Sequence, residues 1–479
     1  MNKILRNTDR IKNGVFCLNN ESPQDYFSND KSGLYYISGD NLGLKEQVIQ
    51  LIDEARVCIK LCSFIITDDQ LFHALYNKAK STDVRIFILT QLDPKKLENT
   101  DILSNNLTEE EMKGSSVNVH LAKLKKLYDQ GVHARASLNV HAKFILTDHE
   151  KGMVTSANLT KPSLNMNTES GVMISGSTAS DLEKIFDSIF LKGTEYRRFI
   201  GARKNKMLVT STENTLQGED LNFNKDSKLL ITYETHENRI YQAIIRIIEE
   251  AHEVLYLSTY SIVQLKRLKE FIDALRSARK RGVKVMIFCR GMNYRSDHLI
   301  GCEELFDMGC EIYGDLYNHS KGVINEKEGL LFTANIDGNH GLKNGFEVGV
   351  VLTEEQRKEF LRFHIHLIRN SFYRYSKDVT YLEFSETYST YEKLKNLKPH
   401  PIPSKLTIKF PHSISGQVEM EGKPIFYGLN KKDNSVYIIS GNRHFKGQLI
   451  RSVISIEDSV SPIYELEKYL LKFEEIHLN

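Results

Sequence analysis

The chain has 479 residues, 41% of them apolar and 26% charged, and a formal net charge of +2. That length holds two or three domains with cores of their own, and the composition is that of a globular protein, not a disordered, collagenous or disulfide-stapled one. Near-zero net charge neither demands nor excludes a polyanionic partner, so only local charge can speak to one. The first twenty residues are polar and lack the roughly 7–15-residue apolar core of a secretory leader. No window approaches the roughly 20 apolar residues that cross a bilayer, so no integral membrane association and a cytoplasmic location are expected. Cys17, Cys58, Cys62, Cys289, Cys302 and Cys310 show no C-x-x-C pair and no zinc spacing, which predicts buried thiols in a reducing compartment and no metal site.

Taken in order, residues 1–30 carry no clear periodicity and are read as an N-terminal arm. A first unit is expected over 31–200. It starts with a strand at 33–38, followed by a helix from Leu44 whose apolar positions Leu44, Val48, Leu51, Ile52 and Ala55 recur at helical spacing. A strand is predicted at 57–66, a helix at 69–80 and a buried strand at 83–92. Residues 93–135 look less regular and hold a basic cluster of Lys123, Lys125 and Lys126. Then comes VHAKFILTDHEKGMVTSANLTKPSLNMNTESGVMI, with His141, Lys143, Asp148, Ser156, Asn158 and Glu169 in series. A helix follows, with Thr178 and Asp181 as its expected N-cap.

The same order of elements returns in a second unit, 201–397, with the closest internal match over 228–376. Its helix face is Ile240, Ala243, Ile244, Ile247 and Ile248, and a strand, a helix and a buried strand follow. The motif then reappears with His319, Lys321, Glu326, Thr333, Asn335 and Glu347. The capping box Thr353-x-x-Gln356 opens the next helix. A lone H-x-K arises easily by chance, but two copies with hydroxyl, amide and carboxylate at matching offsets do not. Strands alternating with helices argue for an α/β fold. Six of the nine prolines lie beyond residue 398, and KPHPIPS reads as a linker. The remainder, 398–479, reads as a small β-rich C-terminal module ending in a helix capped by Ser461-Pro462, with Ile463, Leu466, Leu470 and Phe473 on one face.

Imidazole can serve as nucleophile and as acid because it titrates near neutrality. A lysine two residues along an extended strand faces the same side as the histidine, so His141 with Lys143, and His319 with Lys321, can address one phosphate. Ser156, Asn158, Thr333 and Asn335 offer neutral donors to its oxygens. Glu169 and Glu347 are candidates to hold the second ring nitrogens.

With H-x-K-x4-D, a small hydroxyl residue and an asparagine, the chain resembles the phospholipase D superfamily, covering both units but not the C-terminal module. The resemblance implies a duplicated fold whose two motifs meet at a pseudo-twofold interface. It implies a metal-independent phosphodiesterase without cofactor, in which one histidine forms a phosphohistidine and the other protonates the leaving alcohol. His141 is the expected nucleophile and His319 the acid. Asp148 and Glu326 take the motif's structural acidic position, where glutamate in the second copy departs from the family's aspartate. The S-A-N-L-T form is similar to the nuclease-like branch, and the basic runs at 196–206 and 276–284 lean the same way, being basic enough to bind phosphates. The expected function is therefore a nuclease with DNA as favoured partner, in a bacterial restriction or antiphage setting. The alternatives are a phospholipid hydrolase or transphosphatidylase, and a non-catalytic nucleic-acid-binding protein. The C-terminal module is expected to select substrate, bind a protein partner or mediate homo-oligomers.

Overall fold

Where the sequence alternates buried strands with amphipathic helices, the chain builds two mixed sheets of the same order. The computed structural model describes residues 10–11, 13–19, 32–91, 114–137, 139–193 and 197–394, the last span broken at 204–205, 211–215, 217, 225–226, 235 and 293–295. It also describes 405–410, 417–420, 423–429, 435–440, 443–453 and 467–476. In space the first sheet runs Lys206–Thr210, Arg197–Arg203, His133–Ser137, Arg85–Gln91, Cys58–Ser63, Phe144–Thr147, Lys151–Thr155, Glu169–Ser175, Leu34–Ile37. The second runs Val15–Leu18, Tyr373–Ser376, Glu311–Asp315, Lys284–Arg290, Val254–Ser258, Gly322–Ile324, Gly329–Phe332, Phe346–Val351, Leu229–Tyr233, Glu237–Asn238. In both, three adjacent strands are parallel and the neighbours on the motif side are antiparallel. This is the duplicated α/β architecture expected from the repeat.

Helix Gly43–Glu54 buries Leu44, Val48, Leu51 and Ile52, and helix Arg239–Glu249 buries Ile240, Ile244, Ile247 and Ile248. Each presents one stripe at the 3.6-residue period to its own sheet. A third apolar cluster joins the halves. It takes Leu182, Ile185 and Phe186 from helix Gly176–Lys192, Phe360 and Phe363 from helix Glu354–Arg369, and Val154, Val172, Leu331 and Val348 from the two sheets. Tyr36 stacks on Phe363 with ring centroids 3.9 Å apart, and its hydroxyl donates to the Glu359 carbonyl. Each such buried side chain contributes about 1.5–3 kcal/mol, so the halves are bound together by core and not by a linker alone.

Several expectations need correction. Residues 1–30 are not all arm, because Val15–Leu18 forms an outer strand paired antiparallel with Tyr373–Ser376. It occupies the place that Lys206–Thr210 holds in the first sheet. Helix Gly114–Tyr128 lies where an irregular segment was expected, and residues 92–113 before it are outside the described set. Two of its three clustered lysines are paired internally: Lys123 with Asp69 at 2.6 Å and Lys125 with Asp129 at 3.0 Å. The helix after the first motif begins at Gly176 (φ 56°), straight out of the preceding strand, so Thr178 is a buried first-turn residue and not the cap. The capping box at Thr353 and Gln356 forms as expected.

The described residues of the C-terminal region form a six-stranded sheet, and the part of the expected terminal helix that lies among them is a strand. Glu467–Ile476 is a strand paired antiparallel with both Lys405–Phe410 and Arg443–Val453. The sequence EKYLLKFEEI places Tyr469, Leu471 and Phe473 in alternation, which a two-sided strand satisfies as well as Leu470 and Phe473 satisfy a helix. Ser461, Pro462, Ile463 and Leu466 lie outside the described residues, as does the proline linker.

Two buried histidines tie elements together away from the motifs. His120 Nδ1 accepts from the Ile66 N–H at 3.1 Å. His364 bridges the Phe360 carbonyl and Ser258 Oγ, each at 2.9 Å. Burial pushes both imidazoles down to about 4. Unfolded, each would bind its proton near pH 6.5, so between those values the unfolded chain holds more protons and stability falls as pH falls. The linkage amounts to at most about 3 kcal/mol per histidine. The urea midpoint should therefore drop between pH 6.5 and 4, and His120→Gln and His364→Gln should each lose less over that interval than the parent. Equal slopes in all three proteins would refute this account.

Candidate active site

His141-Ala-Lys143 leads directly into strand Phe144–Thr147, which pairs antiparallel with Cys58–Ser63, so the motif lies at the C-terminal edge of the parallel strands. His319-Ser-Lys321 leads into Gly322–Ile324 against Val254–Ser258 in the same way. The two edges meet. Val140 bridges Phe346, and Thr168 bridges Asn318, the same contact with the halves exchanged. The N–H groups of His141 and Ala142 donate to the Phe346 carbonyl at 3.1 and 2.7 Å, while the His319 N–H donates to the Thr168 carbonyl at 2.9 Å. Gly345 (φ 88°) makes this approach possible, since a Cβ there would stand 2.9 Å from the Asn139 carbonyl.

Each histidine is held by the other motif's glutamate. His141 Nδ1 lies 2.6 Å from Glu347 Oε1, and His319 Nδ1 lies 2.9 Å from Glu169 Oε1. Ser170 Oγ and Ser320 Oγ meet at 2.9 Å across the seam. Lys143 and Lys321 are fully buried, and each ammonium donates to its own histidine's carbonyl. A carboxylate accepts only, so Nδ1 carries the hydrogen and Nε2 is presented to the site.

Burial pushes His141 down to about 4, reinforced by Lys143 and Lys321 and opposed by Glu347. At neutral pH it is therefore a neutral imidazole with a free Nε2 lone pair. Burial would raise both carboxyls, but the combined opposing contacts lower them. For Glu169 these are the charge and hydrogen bond of His319, then Lys321 and Ser156. For Glu347 they are the charge and hydrogen bond of His141, then Lys143 and Thr333. Both glutamates are anions behind imidazoles, an arrangement that fixes the tautomer and can hold an imidazolium.

The two hydroxyls face the carboxylates. Ser156 Oγ donates to Glu169 at 2.5 Å, and Thr333 Oγ1 donates to Glu347. An ionised glutamate is a strong acceptor, so each hydroxyl also helps to hold the carboxylate that orients the other half's histidine. Asn158 and Asn335 follow two residues later and are buried. Asp148 and Glu326 stand at the far ends of the sheets. Asp148 accepts from the N–H groups of Arg56, Val57 and Cys58, and Glu326 from those of His252, Glu253 and Val254. The longer glutamate thus performs the same capping of a strand start as aspartate.

Some site residues carry no motif signal. Phe64 stands edge-on to His141 and Tyr260 edge-on to His319, with centroids 5.6 and 5.4 Å apart. The cavity in front of His141 is lined by Phe64, Asn139, His340, Asn344 and Glu347. The offsets 64↔260, read against the matching strands, would have found the aromatic pair. His340 has no counterpart from which to infer it. The basic run 276–284, expected to bind phosphates, is used elsewhere: Arg276 pairs with Asp273, Arg281 donates to the carbonyls of Ile248, Glu249 and Ala251, and Lys284 pairs with Glu311. It opens strand Lys284–Arg290, roughly 20 Å of chain from the end that faces the site. In the run 196–206, Tyr196 and 204–205 are outside the described residues, and the rest form a hairpin at the sheet edge.

One family model matches, described as "Cardiolipin synthase, PLD-like domain", over residues 48–190. No curated protein matches the chain. Among solved structures, phosphatidylserine synthase of Haemophilus influenzae Rd KW20 aligns at 10% identity and TM-score 0.51, over 81% of this chain and 96% of that one. Polyphosphate kinase of Porphyromonas gingivalis aligns at 15% identity and TM-score 0.45, over 70% of this chain and 50% of that one, so the chain spans half the kinase's length. Nuc of Salmonella typhimurium, a phospholipase D family member, aligns at 18% identity and TM-score 0.27, over 31% of this chain and 97% of that one. The likeness to the synthase is one of fold. Among the described residues no helix is long and apolar enough to cross a membrane. Residues 48–190 are therefore a phospholipase D-like domain, and the second motif completes the same site from the other half of the chain.

Proposed function

We propose that the chain is a phosphodiesterase working through a phosphohistidine, and that its substrate is a nucleic acid, with DNA favoured. The observation that carries the chemistry is the crosswise hold of His141 by Glu347 and of His319 by Glu169. The Nε2 lone pair of His141 attacks phosphorus, the bond to the leaving alcohol breaks, and His319 gives that oxygen its proton. Water then attacks the phosphohistidine, passing a proton back to His319 and releasing His141. Lys143 and Lys321 supply positive charge to the phosphate, and Asn158 and Asn335 offer amide donors. The polar mouth at Asn139, His340 and Asn344 supports a water-soluble phosphodiester over an acyl-chain substrate. Phospholipid hydrolysis or transfer is the second reading, favoured by the family model's cardiolipin synthase description.

Turnover of plasmid, single-stranded DNA, RNA and anionic phospholipid vesicles, run side by side, separates these. Cleavage of DNA without release of a lipid headgroup is expected, and headgroup release alone would sink the nuclease reading. Because the charge work is assigned to lysines and imidazoles, cleavage should persist in excess EDTA. Abolition by chelator with rescue by magnesium would mean the chemistry is another one. Since His141 sits near 4, the acid limb of kcat/KM assigned to it should fall there and not near 6.5.

The crosswise pairing makes a sharper forecast. Glu347→Gln removes the hold on the nucleophile and should behave like His141→Ala, with no covalent adduct. Glu169→Gln removes the hold on the acid and should behave like His319→Ala, accumulating an acid-labile, base-stable adduct. Either glutamine variant should lose about 10²–10⁴ in kcat, by analogy with other carboxylate-held imidazoles. An adduct in Glu347→Gln but not Glu169→Gln would reverse the roles.

A further inference from the structure

Outside the motif site, the described residues include two groups of ligand-type side chains, Cys289 with His298 and Cys302, and Cys58 with His149 and Glu183. The hydrogen bonds around each histidine separate them. The Ile262 N–H donates to His298 Nδ1 at 3.0 Å, so the ring hydrogen is on Nε2, 2.9 Å from the Arg290 carbonyl. A metal on that Nε2 would require an imidazolate and strip the carbonyl of its donor. His120 receives the same backbone bond in the first half, which marks this histidine as part of the fold in both copies.

At the second group the tautomer is the opposite one. His149 Nδ1 lies 2.5 Å from Glu183 Oε1, so Nδ1 carries the hydrogen and Nε2 offers its lone pair, 3.6 Å from Cys58 Sγ. A tetrahedral ion at about 2.3 Å from sulfur and 2.0 Å from nitrogen separates those atoms by about 3.5 Å. We propose that Cys58 and His149 bind a zinc-class divalent cation, with Glu183 holding the imidazole from behind and water completing the shell. Thiolate with imidazole suits such an ion, and a carboxylate on the far ring nitrogen is the usual outer-shell partner. Glu183 is itself fixed by Lys60 at 2.5 Å. The His149 side chain is 55% exposed, which gives the ion a path.

The repeat provides an internal control. Asp148 caps the N–H of Cys58 and Glu326 caps that of Val254, so the second half's counterparts of Cys58 and His149 are Val254 and Lys327. The fold therefore does not need this pair. Asp148 sets it, by holding the strand that carries Cys58 and the turn that carries His149 (φ 65°). Binding exchanges the Cys58 thiol proton for a sulfur–metal bond and releases one proton per ion. Nothing in this inference depends on the reaction at His141 and His319.

The test is a cobalt(II) titration of the full chain after chelator treatment. One equivalent should produce a thiolate-to-cobalt charge-transfer band, discharged by zinc, and zinc should raise Tm by an amount that grows with its concentration. Cys58→Ser should abolish the band, while Cys302→Ser should leave it intact. His149→Ala and Glu183→Gln should each weaken cobalt at least about tenfold, with far-ultraviolet circular dichroism confirming that the variants fold. Absence of a band in the parent, a band that survives Cys58→Ser, or one lost in Cys302→Ser would each overturn the proposal.

Discussion

Two ionised carboxylates with essentially no exposure stand at the centre of the molecule, and each is stabilised by an imidazole from the other half. Taking a carboxylate out of water costs several kcal/mol unless charge and hydrogen bonds offset it. Glu169 without His319, or Glu347 without His141, would be such a case. Neither half can therefore keep its own motif intact alone, and the requirement is reciprocal. The backbone exchange at Val140–Phe346 and Thr168–Asn318, and the shared apolar cluster behind it, hold two separately built sheets in the register the carboxylates need.

Exact repetition is kept where this requirement acts and relaxed elsewhere. The imidazoles, ammoniums, carboxylates, capped strand starts and aromatic neighbours recur. The outer edges differ, one closed by a local hairpin and the other by a strand from near residue 15. Between Asn335 and Glu347 the second copy carries His340 and Asn344 into the cavity, where the first copy forms a short helix, Lys161–Asn165. The two approaches to the site are thus unlike, a difference that equal motifs do not reveal.

Much of this was legible in the residues. The α/β repeat followed from helix faces such as Ile240, Ile244, Ile247 and Ile248, and the site from equal offsets between histidine and glutamate. Which glutamate serves which histidine was not, because spacing within a motif carries no information about a partner some 200 residues away, such as the 206 between His141 and Glu347. The bonds from Ser156 to Glu169 and from Thr333 to Glu347 were not legible for a related reason: a hydroxyl beside a carboxylate and beside an expected phosphate has two acceptors, and the sequence does not rank them. Leu470 and Phe473 fit two periods at once, and strand partners decided between them. The charged run at 276–284 looked like a phosphate surface because charge is visible in a sequence and its partners are not.

The strand Val15–Leu18 bears on how the molecule is made. Its partner strand is Tyr373–Ser376, and the Leu18 N–H donates to Thr387 Oγ1, 369 residues away. During synthesis this strand emerges long before either partner exists, so its amide groups stay with water or a chaperone while the first sheet folds. Its pairing is among the most non-local in the chain and is accordingly expected to close late, after the second sheet is in place. The second half, although translated later, is completed by a segment that precedes the whole first half, which gives a domain-by-domain folder one obligatory long-range step.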